Sequence, residues 1–134
     1  MKFSTRTSYA LRALICLAKS GSQSMSLAAI AKSERLPVKY LEAIFADLKK
    51  ARVVVSSHGM RGGYKLAKKP GALSVLTVVK ILEKPGQMFY CLSARGKKYC
   101  RNSCHCSVKK VVEKLNRTIN QTLGKVKLQE LVKN

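Results

Sequence analysis

Residues 26–50 read SLAAIAKSERLPVKYLEAIFADLKK, and residues 52–67 read RVVVSSHGMRGGYKLA. These two stretches decide the fold. The Ser26 hydroxyl can accept a hydrogen bond from a free amide of a first helical turn, so a short helix is expected over residues 27–32. A tight connection through Glu34, Arg35 and Leu36 follows. Pro37 suits the first position of a further helix, where its missing N–H costs nothing, and that helix should run to about residue 50. Within it Leu41, Ile44, Phe45 and Leu48 recur at helical spacing as a buried stripe. Lys39, Glu42, Ala43, Asp47 and Lys50 take the other face. A short helix, a tight link and a helix with a basic edge make a helix-turn-helix pattern.

The second stretch sharpens that reading. Residues 52–56 hold three consecutive valines, and residues 63–67 alternate around Tyr64 and Leu66. Residues 57–62 between them are glycine-rich, so the two β-prone runs read as a hairpin. A hairpin directly after the recognition helix is the wing of a winged helix. Its tip can follow phosphates or enter the minor groove, with Arg61 as the obvious probe. The DNA-facing candidates are Ser26 at the first helix start, Pro37, Val38, Lys39, Tyr40, Ala43 and Lys50 on the second helix, and Ser57, His58, Arg61, Gly62, Gly63 and Lys65 on the wing. Turn geometry alone also accounts for the glycines.

Upstream, Ser4 or Thr5 can cap a helix over about residues 5–19, which Ser20-Gly21 ends. Cys16 lies among its apolar residues and reads as a small core side chain. Downstream, a helix over about residues 75–83 should pack Leu76, Val79 and Leu82 onto the wing. Pro85-Gly86 opens a polar segment in which Cys91, Cys100, Cys104 and Cys106 fall within sixteen residues, with Lys97, Lys98, Arg101 and His105 among them. Too few apolar side chains lie there for a core. Thiols at this C-x8-C-x3-C-x-C spacing gather around a metal or react as redox thiols. Ser107 should cap a last, long helix striped by Val108, Val111, Val112, Leu115, Ile119, Thr122 and Leu123. That stripe pairs with its twin in a dimer or packs back on its own domain.

Composition narrows the partner. The 134 residues carry 27 Lys+Arg against 6 Asp+Glu, a formal charge of +21. Residues 1–70 hold 14 cations and 3 acids, and residues 71–134 hold 13 and 3, so no single basic tail explains the charge. A polyanion, first of all nucleic acid, is the expected partner. Two histidines and six acids with no catalytic constellation argue against an enzyme and a small-molecule substrate. Arg12 interrupts the apolar stretch of residues 10–18, no cleavage pattern follows it, and no run reaches membrane-spanning length. A cytoplasmic protein without membrane contact is expected, where clustered cysteines serve metals or redox chemistry more than structural disulfides.

Several motifs in order resemble one family. Met1-Lys2-Phe3-Ser4, Tyr9-Ala10-Leu11-Arg12-Ala13-Leu14, Leu17-Ala18, Ile30-Ala31, Tyr40-Leu41-Glu42, Leu48 and Gly62-Gly63-Tyr64-Lys65-Leu66-Ala67 are similar to the Rrf-type regulators, the IscR/NsrR/RirA group. The resemblance covers about residues 1–130. It implies a mainly α fold: a winged helix-turn-helix domain with a small β-hairpin over residues 1–84, a cluster-binding sensor loop over residues 85–106, and a dimerisation helix and tail over residues 107–134. It further implies a homodimer on a pseudo-palindromic double-stranded operator, acting as repressor or activator under control of an iron–sulfur cluster (2Fe-2S or 4Fe-4S) that oxygen can remove. The family's three ligand cysteines map onto Cys91, Cys100 and Cys106. The first gap is closer to the RirA branch than to IscR or NsrR. Cys104 is extra. The fourth ligand stays open, because Ser8 stands where NsrR-like members have an acid and Lys109 where IscR has a histidine. Cys104, His105, Ser8 of the partner subunit and water are the candidates. His58 also stands where many relatives carry an arginine. Zinc on the same thiols, a disulfide switch, and a basic structural nucleic-acid binder are the alternatives.

Overall fold

The computed structural model describes residues 3–60, 62–83, 89–100 and 106–133. Arg61, Pro85, Gly86, Arg101, Cys104 and His105 lie outside the described residues.

Helix α1 spans Thr5–Lys19, and the Ser4 hydroxyl accepts from the Thr7 amide at its start. Its buried face, including Ala10, Ala13, Leu14 and Leu17, runs through the core. Helices α2 (Leu27–Glu34) and α3 (Val38–Lys50) pack on it and on each other. The expected Ser26 cap is present, its Oγ accepting from the Ala29 amide at 3.1 Å. Helix α2 runs two residues further than its expected end, and Pro37 stands at the N-cap of α3, just outside the helix. Leu41, Ile44, Phe45 and Leu48 are all completely buried.

Strands β1 (Val54–Ser57) and β2 (Gly63–Leu66) pair antiparallel, Val54 opposite Leu66 and Ser57 opposite Gly63. Met25 joins β2 from the other side through paired bonds with Tyr64, N to O at 2.9 and 2.8 Å. That bridge requires Gly63, where a Cβ would lie 2.5 Å from the Met25 carbonyl. The Tyr64 ring stands edge-on to Phe45, centroids 5.0 Å apart, so the wing is riveted to the core of α3.

After a 3-10 turn at Pro70–Ala72, helix α4 (Val75–Leu82) buries Val75, Val78, Val79 and Leu82. The expectation that this helix lies on the wing is corrected: α4 packs chiefly on α1, α3 and the long helix α6 (Ser107–Lys125). Its apolar residues repeat at helical spacing on a face that α1 and α3 complete, and Leu76 turns instead toward Gly124 of α6.

The cysteine segment is not all loop. A 3-10 turn at Tyr90–Leu92 leads into helix α5 (Ala94–Tyr99). Cys106, not Ser107, occupies the N-cap of α6, without a side-chain capping bond. The chain then turns back. Val75 N–H donates to the Val126 carbonyl at 3.0 Å, Leu128 N–H to the Leu73 carbonyl at 2.8 Å, and helix α7 (Leu128–Val132) lies against α1 with Leu128 buried. The tail expected after the long helix thus includes a short helix of its own.

Candidate nucleic-acid interface and cysteine site

The exposed edge of α3 presents Val38, Lys39, Tyr40, Ala43 and Lys50. Its orientation is set from α1. Arg6 pairs with the Asp47 carboxylate and donates to the Ala43 carbonyl at 3.3 Å, while Tyr9 meets Tyr40 edge-on at 5.5 Å. Asp47, read as a free polar face, is therefore a strut. Arg12 holds α2 in the same way, its Nε 3.2 Å from Glu34 Oε2.

Wing residues divide by role. His58, Met60 and Gly62 are exposed at the tip, and Lys65 on β2 is exposed beside them. Ser57 Oγ lies 2.8 Å from Ser24 Oγ and bonds into the hairpin, as Gly63 packs against Met25. Both have demonstrable structural work inside the fold. Ser26 likewise spends its hydroxyl on α2.

Glu83 ties α4 to the start of α1. Burial pushes its carboxyl up, but the Thr7 hydroxyl, the Ser4 hydroxyl and the Ser4 amide all donate to Oε1 and hold it below the ordinary carboxylate range. Thr7, completely buried, thereby finds its partner. Sequence reasoning missed this cluster because its members lie about eighty residues apart.

The cysteines come together through local structure. Ser93 caps α5, its Oγ accepting from the Gly96 amide at 2.9 Å and donating to the Tyr90 carbonyl at 2.7 Å. Gly96 is buried against the turn that carries Cys91, so close that a Cβ would stand 1.9 Å from the Tyr90 oxygen. Cys100 follows α5 and Cys106 precedes α6, and one pocket is lined by Cys91, Lys97, Cys100, Cys106, Val108 and Lys109. Among the described residues, no three Cys, His, Asp or Glu side chains are drawn close enough to hold a metal ion. The donor set fits a thiolate-bound centre, and closing on one needs further approach of the three thiols. Ser8 sits in α1, outside that lining, and Cys16 is buried in the core as expected.

Comparison with known proteins decides the family. The family described as Rrf2, iron-dependent transcriptional regulator, matches residues 3–134. The chain belongs to the Rrf2 family. Among Rrf2 relatives, IscR of Cereibacter sphaeroides is 28% identical, covering 100% of this chain and 88% of its own. The solved T. potens IscR is 30% identical with a TM-score of 0.81, covering 99% of this chain and 87% of that one. CymR of B. subtilis, that organism's global cysteine regulator, is 26% identical with a TM-score of 0.80, covering 99% and 97%. As an Rrf2 member the chain is a DNA-binding transcription regulator with a winged-helix fold, not an enzyme. Among the described residues no helix is long and apolar enough to cross a membrane.

Proposed function

We propose that the chain is a dimeric regulator whose hold on operator DNA is set by an iron–sulfur cluster on Cys91, Cys100 and Cys106. The observation that carries this reading is their convergence on one pocket at the foot of α6. A bound cluster would supply iron–thiolate bonds to the three cysteines, sensitive to oxidation and iron loss. As the N-cap of α6, Cys106 would hold the start of that helix to such a centre. Cys91 and Cys100 would hold to it the turn and helix that Gly96 locks together. Lys97 and Lys109 put positive charge in the pocket wall, which suits an anionic occupant.

Exposure along α6 supports the dimer. Val108, Val111 and Leu115 are 63%, 59% and 47% exposed on one helix, an apolar row that its own domain leaves uncovered. Pairing through this row would set the separation of two α3 helices, which must stand about one DNA turn apart, roughly 34 Å, to enter successive major grooves. In this arrangement Val38, Lys39, Tyr40 and Ala43 meet bases, and Lys65, Lys68 and the wing tip meet phosphates.

Anaerobic purification with visible absorption and iron, sulfide and zinc analysis tests the reading. Colour with matched iron and sulfide is expected, lost in Cys91→Ala, Cys100→Ala and Cys106→Ala and kept in Cys16→Ala. Colourless protein with one zinc per chain after reconstitution would overturn it. The pocket shared by the same three thiols also supports a second reading, in which two of them close a disulfide. Peroxide treatment of iron-free protein, read by non-reducing peptide mapping and DNA affinity, separates the two.

A further inference from the structure

Among the described residues, the non-glycine positions with left-handed backbone are Arg35, at φ 53° and ψ 52°, and Arg52, at φ 57°. Arg35 directly follows α2, and Arg52 follows α3 after one residue, Ala51. The two turns share one type of closing bond. Leu36 N–H reaches the Ala31 carbonyl at 2.9 Å, and Val53 N–H reaches the Leu48 carbonyl at 2.9 Å. This is the closing turn in which glycine is favoured, because an L side chain is strained there. Two arginines at glycine positions work against local stability, and strain kept in place points to a use.

Position distinguishes the two. Glu34, the acid next to Arg35 in the chain, is already engaged: Arg12 pairs with its carboxylate and also takes its carbonyl. Both arginines are exposed and make no ion pair among the described residues. Arg35 stands in the link that feeds the N-terminal end of α3, where the base-facing candidates lie. Arg52 lies at the other end of that 13-residue helix, about 20 Å along its axis.

We propose that Arg35 is a phosphate anchor of the reading head, its planar guanidinium taking a DNA backbone oxygen beside the groove that α3 enters, and that Arg52 takes none. This rests on the DNA-binding reading above and adds a residue to it. A phosphate contact is sequence-independent and shows in the salt dependence of binding, so no operator need be known. The experiment is fluorescence anisotropy of the full chain with a mixed-sequence duplex across a salt series, for wild type, R35G, R35K and R52G, with thermal melting of each. R35G should reduce the slope of log affinity against log salt by about 0.9 per protomer. R35K and R52G should keep the wild-type slope, and R35G should melt at or above wild type, because glycine relieves the strain. A wild-type slope in R35G overturns the proposal. So does an equal loss in R52G, which would mean that any lost charge suffices, and so does a lower melting temperature in R35G, which would make the arginine a fold contact. A wild-type chain that holds no duplex at any salt takes down the DNA-binding reading itself, and the anchor with it.

Discussion

Gly96 leaves no room for even a methyl group: its backbone meets the Tyr90 carbonyl directly, and that contact holds Cys91 over α5. Gly96→Ala is therefore expected to push the turn away and lower iron incorporation on anaerobic reconstitution, while the far-UV circular dichroism of the helical domain stays close to wild type. Nothing in the spacing of the cysteines announced this residue, although a serine three positions before it is a recognisable capping signal. Gly63 illustrates the same limit. Its place in a glycine-rich turn was legible, but its close partner, Met25, comes from a segment far upstream. At Glu83 three donors favour the ionised form, so its carboxyl titrates below the ordinary value of 4.5. Stability from this cluster is complete above that value and is lost as pH falls through the lower folded-state value. Urea midpoints followed from neutral pH downward should fall more steeply in wild type than in Glu83→Gln.

Helices α1 and α3 and the hairpin were readable because their apolar periods and turn residues are local. Helix α4 shows where period stops informing: it identifies a buried face and not the neighbour that buries it. Helix α5 escaped because it is six residues long and basic, with little apolar stripe to mark it. Helix α7 escaped because one completely buried residue, Leu128, does most of its anchoring. Leu128→Ala should cost about 2–5 kcal/mol in chemical denaturation, the range for emptying a buried leucine site. On α6 the row of Val108, Val111 and Leu115 was legible as a stripe. Leu115→Asp should shift the protein toward monomer in sedimentation velocity, with weaker DNA binding at equal chain concentration. An unchanged mass would assign the row to another partner.

Across the molecule, the two ion pairs among the described residues, Arg6–Asp47 and Arg12–Glu34, use acids to brace α3 and α2 against α1. Each pair cancels one cation against one acid, so the chain keeps its net charge of +21. Binding to duplex DNA should fall steeply with salt for this reason. Lys39→Ala should change the ranking of operator variants, whereas Lys65→Ala and Lys68→Ala should weaken all of them nearly equally. Selection from a randomised duplex pool, followed by titrations, checks both outcomes.

Sequence alone determined the winged helix-turn-helix order, the basic character of the surface and the residue types available to the cysteine site. Those follow from local spacing, turn chemistry and charge, which need no knowledge of distant neighbours. Only the tertiary structure decided that Cys91, Cys100 and Cys106 share a pocket with the first turn of α6, that Glu83 locks the start of α1, and that Arg35 stands strained beside α3 with no ion pair among the described residues. Each depends on which segments meet after folding, and side-chain packing selects those meetings from many that the same local pattern would allow.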